Sequence, residues 1–123
     1  MSTITIPLPL PQLNDVTRAT KRHWAAYAKL KADTTEAVKV LARVQNMTVV
    51  RGRYHVRCNW YPPNRRVDGD NLAHAIKYIL DGVVAARRVE GDNYKWVSGI
   101  QHEFHPPDKS NPRVIVELTE VKA

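Results

Sequence analysis

The sequence predicts a single α+β domain, a small mixed β-sheet with two main helices in the order β-α-β-α-β-β. Three observations predict it. Residues 48–61 alternate, with Tyr54, Val56, Cys58 and Trp60 on one side and Arg53, His55, Arg57 and Asn59 on the other, as a half-buried strand does. Residues 72–84 instead place Leu72, Ala75, Ile76, Ile79, Leu80, Val83 and Val84 on one helical face. A chain of 123 residues is long enough for one hydrophobic core and too short for two, so the domain runs over 1–123.

Taken in order, Thr3 to Leu8 reads as a first strand, and Pro7, Pro9 and Pro11 force a loop containing Asn14. From about Ala19 to Asn46 the composition is helical, free of Pro and Gly. Asp33, followed by Thr34, Thr35 and Glu36, offers an N-cap. The segment therefore reads either as one long helix or as an arm followed by a helix from Thr34, where Ala37, Val38, Leu41 and Val44 are spaced more cleanly. Pro62 and Pro63 end the alternating strand, and the next helix should start at Asp70 or Asn71. Lys95 to Phe104 and Arg113 to Val121 read as two further strands, and the turn-rich HPPDKSNP between them predicts a hairpin.

The composition, 43% hydrophobic and 25% charged, excludes a disordered or fibrous chain. No basic n-region precedes an apolar run, and no run is long enough to span a bilayer, so a cytoplasmic protein without a membrane partner is expected. Cys58 permits no internal disulfide and reads as a small buried hydrophobe. Charge divides unevenly: residues 1–67 carry +9 and residues 68–123 carry −2. A field so basic gathers polyanions, nucleic acid first, although solvated lysines would serve solubility alone.

RRVDGDNL, residues 65–72, sets two carboxylates directly behind two guanidiniums. At ~100° per residue, His74, Lys77 and Asp81 fall within roughly 40° of Asp70, opposite the apolar face. Ordinary roles exist for these: Lys77 pairing with Asp81, and Asp70 as an N-cap. Asp68 is not covered by them. Two close carboxylates repel unless a cation sits between them, and a hard divalent ion takes one or two carboxylates plus waters and phosphate oxygens. An EF-hand loop is excluded, since its third ligand position would be Leu72 and its glycine Ala73. The residues thus suggest Arg65 and Arg66 gripping a phosphate while Asp68 and Asp70 hold Mg2+ against it, with Mn2+ as the substitute ion.

RRVDGDNL, then HAIKYILDGVV, then VEGDNYKWV resemble the RusA family of Holliday junction resolvases, particularly its phage and prophage members. The resemblance covers most of the chain. It implies a RusA-like fold, a homodimer that binds four-way junction DNA, and Mg2+-dependent paired nicks serving DNA recombination and repair. It further implies metal-site carboxylates at Asp68, Asp70 and Asp92, a supporting Asn71, a DNA-contacting Asn14, and a basic approach through Arg65 and Arg66. Two departures stand out. The family lysine position holds His74, so Lys77, on the same stripe, is the catalytic cation expected, with His74 as the other candidate. Gly91 replaces an acid, leaving the third ligand to Asp92, with Glu90 as a substitute.

Arg18, Lys21, Arg22, His23, Lys29 and Lys31 around Trp24 and Tyr27 would hold the junction by phosphate contact and stacking, unless the aromatics serve packing. Arg51, Arg53 and Arg57 form a second basic patch. Two other readings stay open: a junction-binding protein without catalysis, and a nuclease of the same chemistry acting on flaps, forks or single strands.

Overall fold

The computed structural model describes residues 2–10 and 24–122. Asn14, Arg18, Lys21, Arg22 and His23 lie outside them. The elements are β1 (Ser2–Pro7), α1 (Trp24–Val44), β2 (Tyr54–Tyr61), the short α2 (Gly69–Ala73), α3 (Ile76–Ala85), β3 (Val97–Phe104) and β4 (Arg113–Glu120). One four-stranded sheet has the order β1-β4-β2-β3, with β2 and β3 parallel and the other pairs antiparallel. No described helix is long and apolar enough to cross a membrane.

The expected hairpin between the last two strands does not form, because β2 lies between them. Val114, Val116 and Leu118 are fully buried and need neighbours on both sides, whereas Ile100 and Phe104 on β3 stay 45% and 52% exposed at the sheet edge. The connection from β3 to β4 therefore crosses the end of β2. His105 N–H donates to the Trp60 carbonyl (2.9 Å) and Asp108 N–H to the Pro62 carbonyl (2.8 Å).

The buried sides of the strands continue each other in register. Ile4 and Ile6, the three β4 residues, and Tyr54, Val56, Cys58 and Trp60 face Val38 and Ala42 of α1 and Ile79 and Val83 of α3 in one cluster. Burial drives the Cys58 thiol up to about 12, so it is inert packing. Trp60 Nε1 donates to His102 Nδ1 (2.9 Å), which puts the imidazole proton on Nε2 while burial lowers the His102 pKa. At the outer edge of β1, the Gln45 amide accepts from Thr5 N–H and donates to the Thr5 carbonyl, closing bonds an edge strand leaves open.

Of the two helical alternatives for the first half, the continuous one holds across Asp33. Thr34 Oγ1 donates back to the Leu30 carbonyl (2.7 Å) and Asp33 pairs with Lys29, so neither caps a new start. The alternating strand is shorter than expected, since Gly52 at φ +80° breaks extended backbone before Tyr54. The helix expected from Asp70 begins at Gly69 and is interrupted at His74 and Ala75. There Ala75 N–H bonds Leu72, and Tyr78 N–H bonds Ala75, three residues back rather than four.

The close approach of α1 and α3 rests on Gly82. A β-carbon there would lie 2.5 Å from Val38 Cβ and 3.0 Å from the Thr35 carbonyl. Alanine would add ~1 kcal/mol of helix propensity, yet the contact is with β-carbon and backbone, which cannot swing aside. Gly82→Ala should therefore lower stability by ~1–3 kcal/mol, read as an earlier midpoint in urea. A later midpoint would mean that the helices separate freely.

Candidate metal and nucleic-acid site

Two prolines stop β2, and the loop that follows is shaped by Asn64, whose side-chain oxygen accepts from Arg66 N–H (2.9 Å). Arg65 and Arg66 are exposed and form no ion pair among the described residues. The loop delivers Asp68 to the N-cap position of α2 in extended conformation (φ −74°, ψ 138°), where its carbonyl accepts from Leu72 N–H. Asp68, not Asp70, is thus the cap residue. Its carboxylate nevertheless makes no capping hydrogen bond, and Asp70 stands in the first turn, also exposed.

Gly69, between the two acids, lies against a ring: a β-carbon would sit 2.9 Å from Phe104 Cζ and would push that half-exposed side chain aside. The backbone there lies against Phe104, and both flanking carboxylates are exposed to solvent. Beside them opens a cleft of about 510 Å3 lined by Pro62, Arg65, Gly69, Leu72, Phe104 and Pro106, among others.

Asp92 is elsewhere. It hydrogen-bonds Asp81 on α3, and its charge reaches Tyr54, whose hydroxyl donates to the Gly91 carbonyl (2.7 Å) and holds the loop before β3. Asp70 stands in the first turn of α2, whereas Asp81 stands on α3, beyond the break at His74 and Ala75. The structure therefore brings Asp68 near Asp70 and Asp92 near Asp81, at the two ends of the α2–α3 crossover. Among the described residues no three His, Cys, Asp or Glu side chains are grouped to hold a metal ion.

Lys77 belongs to the second group, with Lys31 of α1, since both ammoniums act on Asp81. His74 closes α2 in helical conformation and meets the edge of Tyr78, four residues on, at 6.0 Å. Asn71 is half-buried on α2 beside Asp70. At Gly91 any side chain would strike Trp96, whose Cδ1 lies 2.4 Å from the β-carbon position, so the acid implied by the family resemblance has no room. Glu90 is exposed.

The basic patches are smaller than the sequence suggests. Arg57 is paired with Glu103 (2.9 Å), which holds that carboxyl below its usual range, leaving Arg51 and Arg53. Tyr27 hydrogen-bonds Tyr78 and serves packing, while Trp24 is 75% exposed. Sequence reasoning missed Phe104 as a wall of the site, although a glycine between two aspartates was a signal of close approach. The Asp81–Asp92 contact left no signal, being a product of tertiary structure alone. No protein-family model and no curated protein matches the chain.

Burial, then the hydrogen bond and charge of Asp92, raise Asp81 above its ordinary value of 3.8, against the pull of Lys31 and Lys77. A raised carboxyl favours folding below its unfolded pKa and loses that contribution as pH rises through the folded value. Asp81→Asn should therefore melt above wild type at pH 7, with the gap closing as pH falls toward 4. Thermal melts at the two pH values check this; an equal gap at both would mean that the Asp81 carboxyl is not raised in the folded protein.

Proposed function

We propose that the chain is a Mg2+-dependent, structure-selective DNA endonuclease of the RusA type, a homodimer that resolves four-way junctions by paired, symmetric nicks. The observation that carries the reading is Asp68: it occupies a cap position without capping, one residue from an equally exposed Asp70 and next in the chain to two exposed arginines that form no ion pair among the described residues. Free carboxylates so close suit a divalent ion, which needs few protein ligands when phosphate oxygens complete its shell.

In this reading Arg65 and Arg66 hold the phosphate by charge-assisted hydrogen bonds and turn the scissile bond toward Asp68 and Asp70. The two carboxylates fix the ion. When bound, a divalent ion supplies a water of lowered pKa and neutralises charge on the leaving oxygen. Hydrolysis at the 3′ oxygen of the phosphodiester that Arg65 and Arg66 hold would leave a 5′-phosphate and a 3′-hydroxyl. Two nicks related by a two-fold axis ask for one such site per subunit of a C2 dimer. Asp92 as a third ligand and Lys77 as the catalytic cation rest on the family resemblance alone, since both stand beside Asp81.

That separation favours a second reading, a junction-binding protein that does not cut. A synthetic four-way junction, incubated with and without Mg2+, decides between them. For the nuclease, ligatable paired nicks appear only with the metal, and Asp70→Asn reduces their rate at least ~100-fold, no less than loss of a ligand's supporting partner costs, while junction binding persists. Binding without nicks in Mg2+ or Mn2+ would establish the second reading, and equal cutting of flaps or single strands would remove the junction selectivity.

A further inference from the structure

We propose that the cleft beside Asp68 and Asp70 receives one unpaired nucleobase, that of the nucleotide whose phosphate the arginines address. This rests on the DNA-cleaving or DNA-binding reading and adds what the site recognises. The walls carry the argument. Pro62, Pro106 and Pro107 line the cleft and have no backbone N–H, so a flat apolar group can cover them without orphaning a donor. A peptide strand, by contrast, would look for those donors.

Phe104 is the platform. Its ring is half-exposed although Gly69 backs it, and it ends a stacked row in which Trp60 and His102 are 6.0 Å apart and His102 and Phe104 6.4 Å. A ring held in this way loses little freedom when a base stacks on it. At about 510 Å3 the cleft has the volume of a small-molecule site rather than an ion site.

Charge places the phosphate at the mouth, where Arg65 is lined up with the cleft and unpaired among the described residues. Few side chains inside can read a base edge: Asn64 already accepts from Arg66 N–H through Oδ1, and Arg65 addresses the phosphate. His105, the imidazole in the lining, already bonds Asn59 Oδ1 through Nε2 (2.9 Å) and stacks on Tyr61 at 4.6 Å. The cleft therefore takes bases by their faces and discriminates weakly among them. A base within a duplex cannot reach it, whereas a branch point supplies bases already unstacked.

The test uses a four-way junction carrying 2-aminopurine at each nucleotide flanking the branch, bound by wild-type protein in EDTA so that strands stay intact. At one flanking position the fluorescence should change on binding. Phe104→Leu, at saturating protein, should abolish that change and weaken binding ~10-fold. Gly69→Ala, which drives a β-carbon into the ring, should abolish it independently. Persistence of the change in both folded variants would overturn the proposal. A shift of Phe104→Leu from dimer to monomer by sedimentation would also overturn it, assigning the cleft to a second copy of the chain. Failure of wild type to bind the junction at all would instead sink the functional reading beneath it.

Discussion

The parallel pairing of β2 with β3 is the constraint on which the rest depends. Parallel neighbours cannot be joined by a turn, so the chain must leave the end of β2, travel the length of the sheet and re-enter beside the start of β2. The α2–α3 crossover is that journey. Its beginning carries Asp68 and Asp70 and its end is followed by Asp92, which fixes the first pair and the third acid at opposite ends before any side chain is considered. The same constraint sends the β3–β4 connection across the end of β2 and so brings Phe104, His105 and two prolines up to the loop that bears Arg65.

Close packing then shapes both ends. Where the crossover begins, Phe104 lies on Gly69. Where it ends, Trp96 lies over Gly91, and midway Val38 fills the space that a Gly82 side chain would need. Each contact leaves backbone exposed to a ring or a branched side chain, and each fixes a neighbour of an acidic residue. The acids owe their positions to these contacts more than to helix geometry, because the ladder is interrupted at His74 and the helical stripe does not continue evenly through it.

Much of this was legible in the sequence. The alternation over Tyr54 to Trp60 and the helical spacing from Leu72 to Val84 each identified a buried face, since burial depends on local period. Strand order was not legible: β3 and β4 have equal length and follow one another across a turn-rich segment, and only the demand of Val114, Val116 and Leu118 for two flanking strands decides which is central. Charge counts misled at Arg57, because a residue's partner across a sheet is set by register; here Asn59 is opposite Glu103, and Arg57 reaches diagonally to the same carboxylate. The pair Asp68 and Asp70 was visible because its members are neighbours in sequence. Asp81 and Asp92 meet only through the fold.

The two acidic pairs differ in what the protein does for them. Asp81 and exposed Asp92 have a hydrogen bond to share, and Asp81 adds partial burial and two ammoniums on α1 and α3 within electrostatic reach. Their repulsion is managed inside the domain. Asp68 and Asp70 have no such provision among the described residues: no capping bond and no ion pair, in the first turn of a helix only five residues long. A fold that merely needed a cap would have turned the Asp68 oxygen toward the free N–H groups of α2, for a gain of ~1 kcal/mol. Leaving that gain unused keeps two carboxylates and two guanidiniums facing solvent, and in the function proposed above a phosphate with its divalent ion would be the pair of opposite charges that satisfies both.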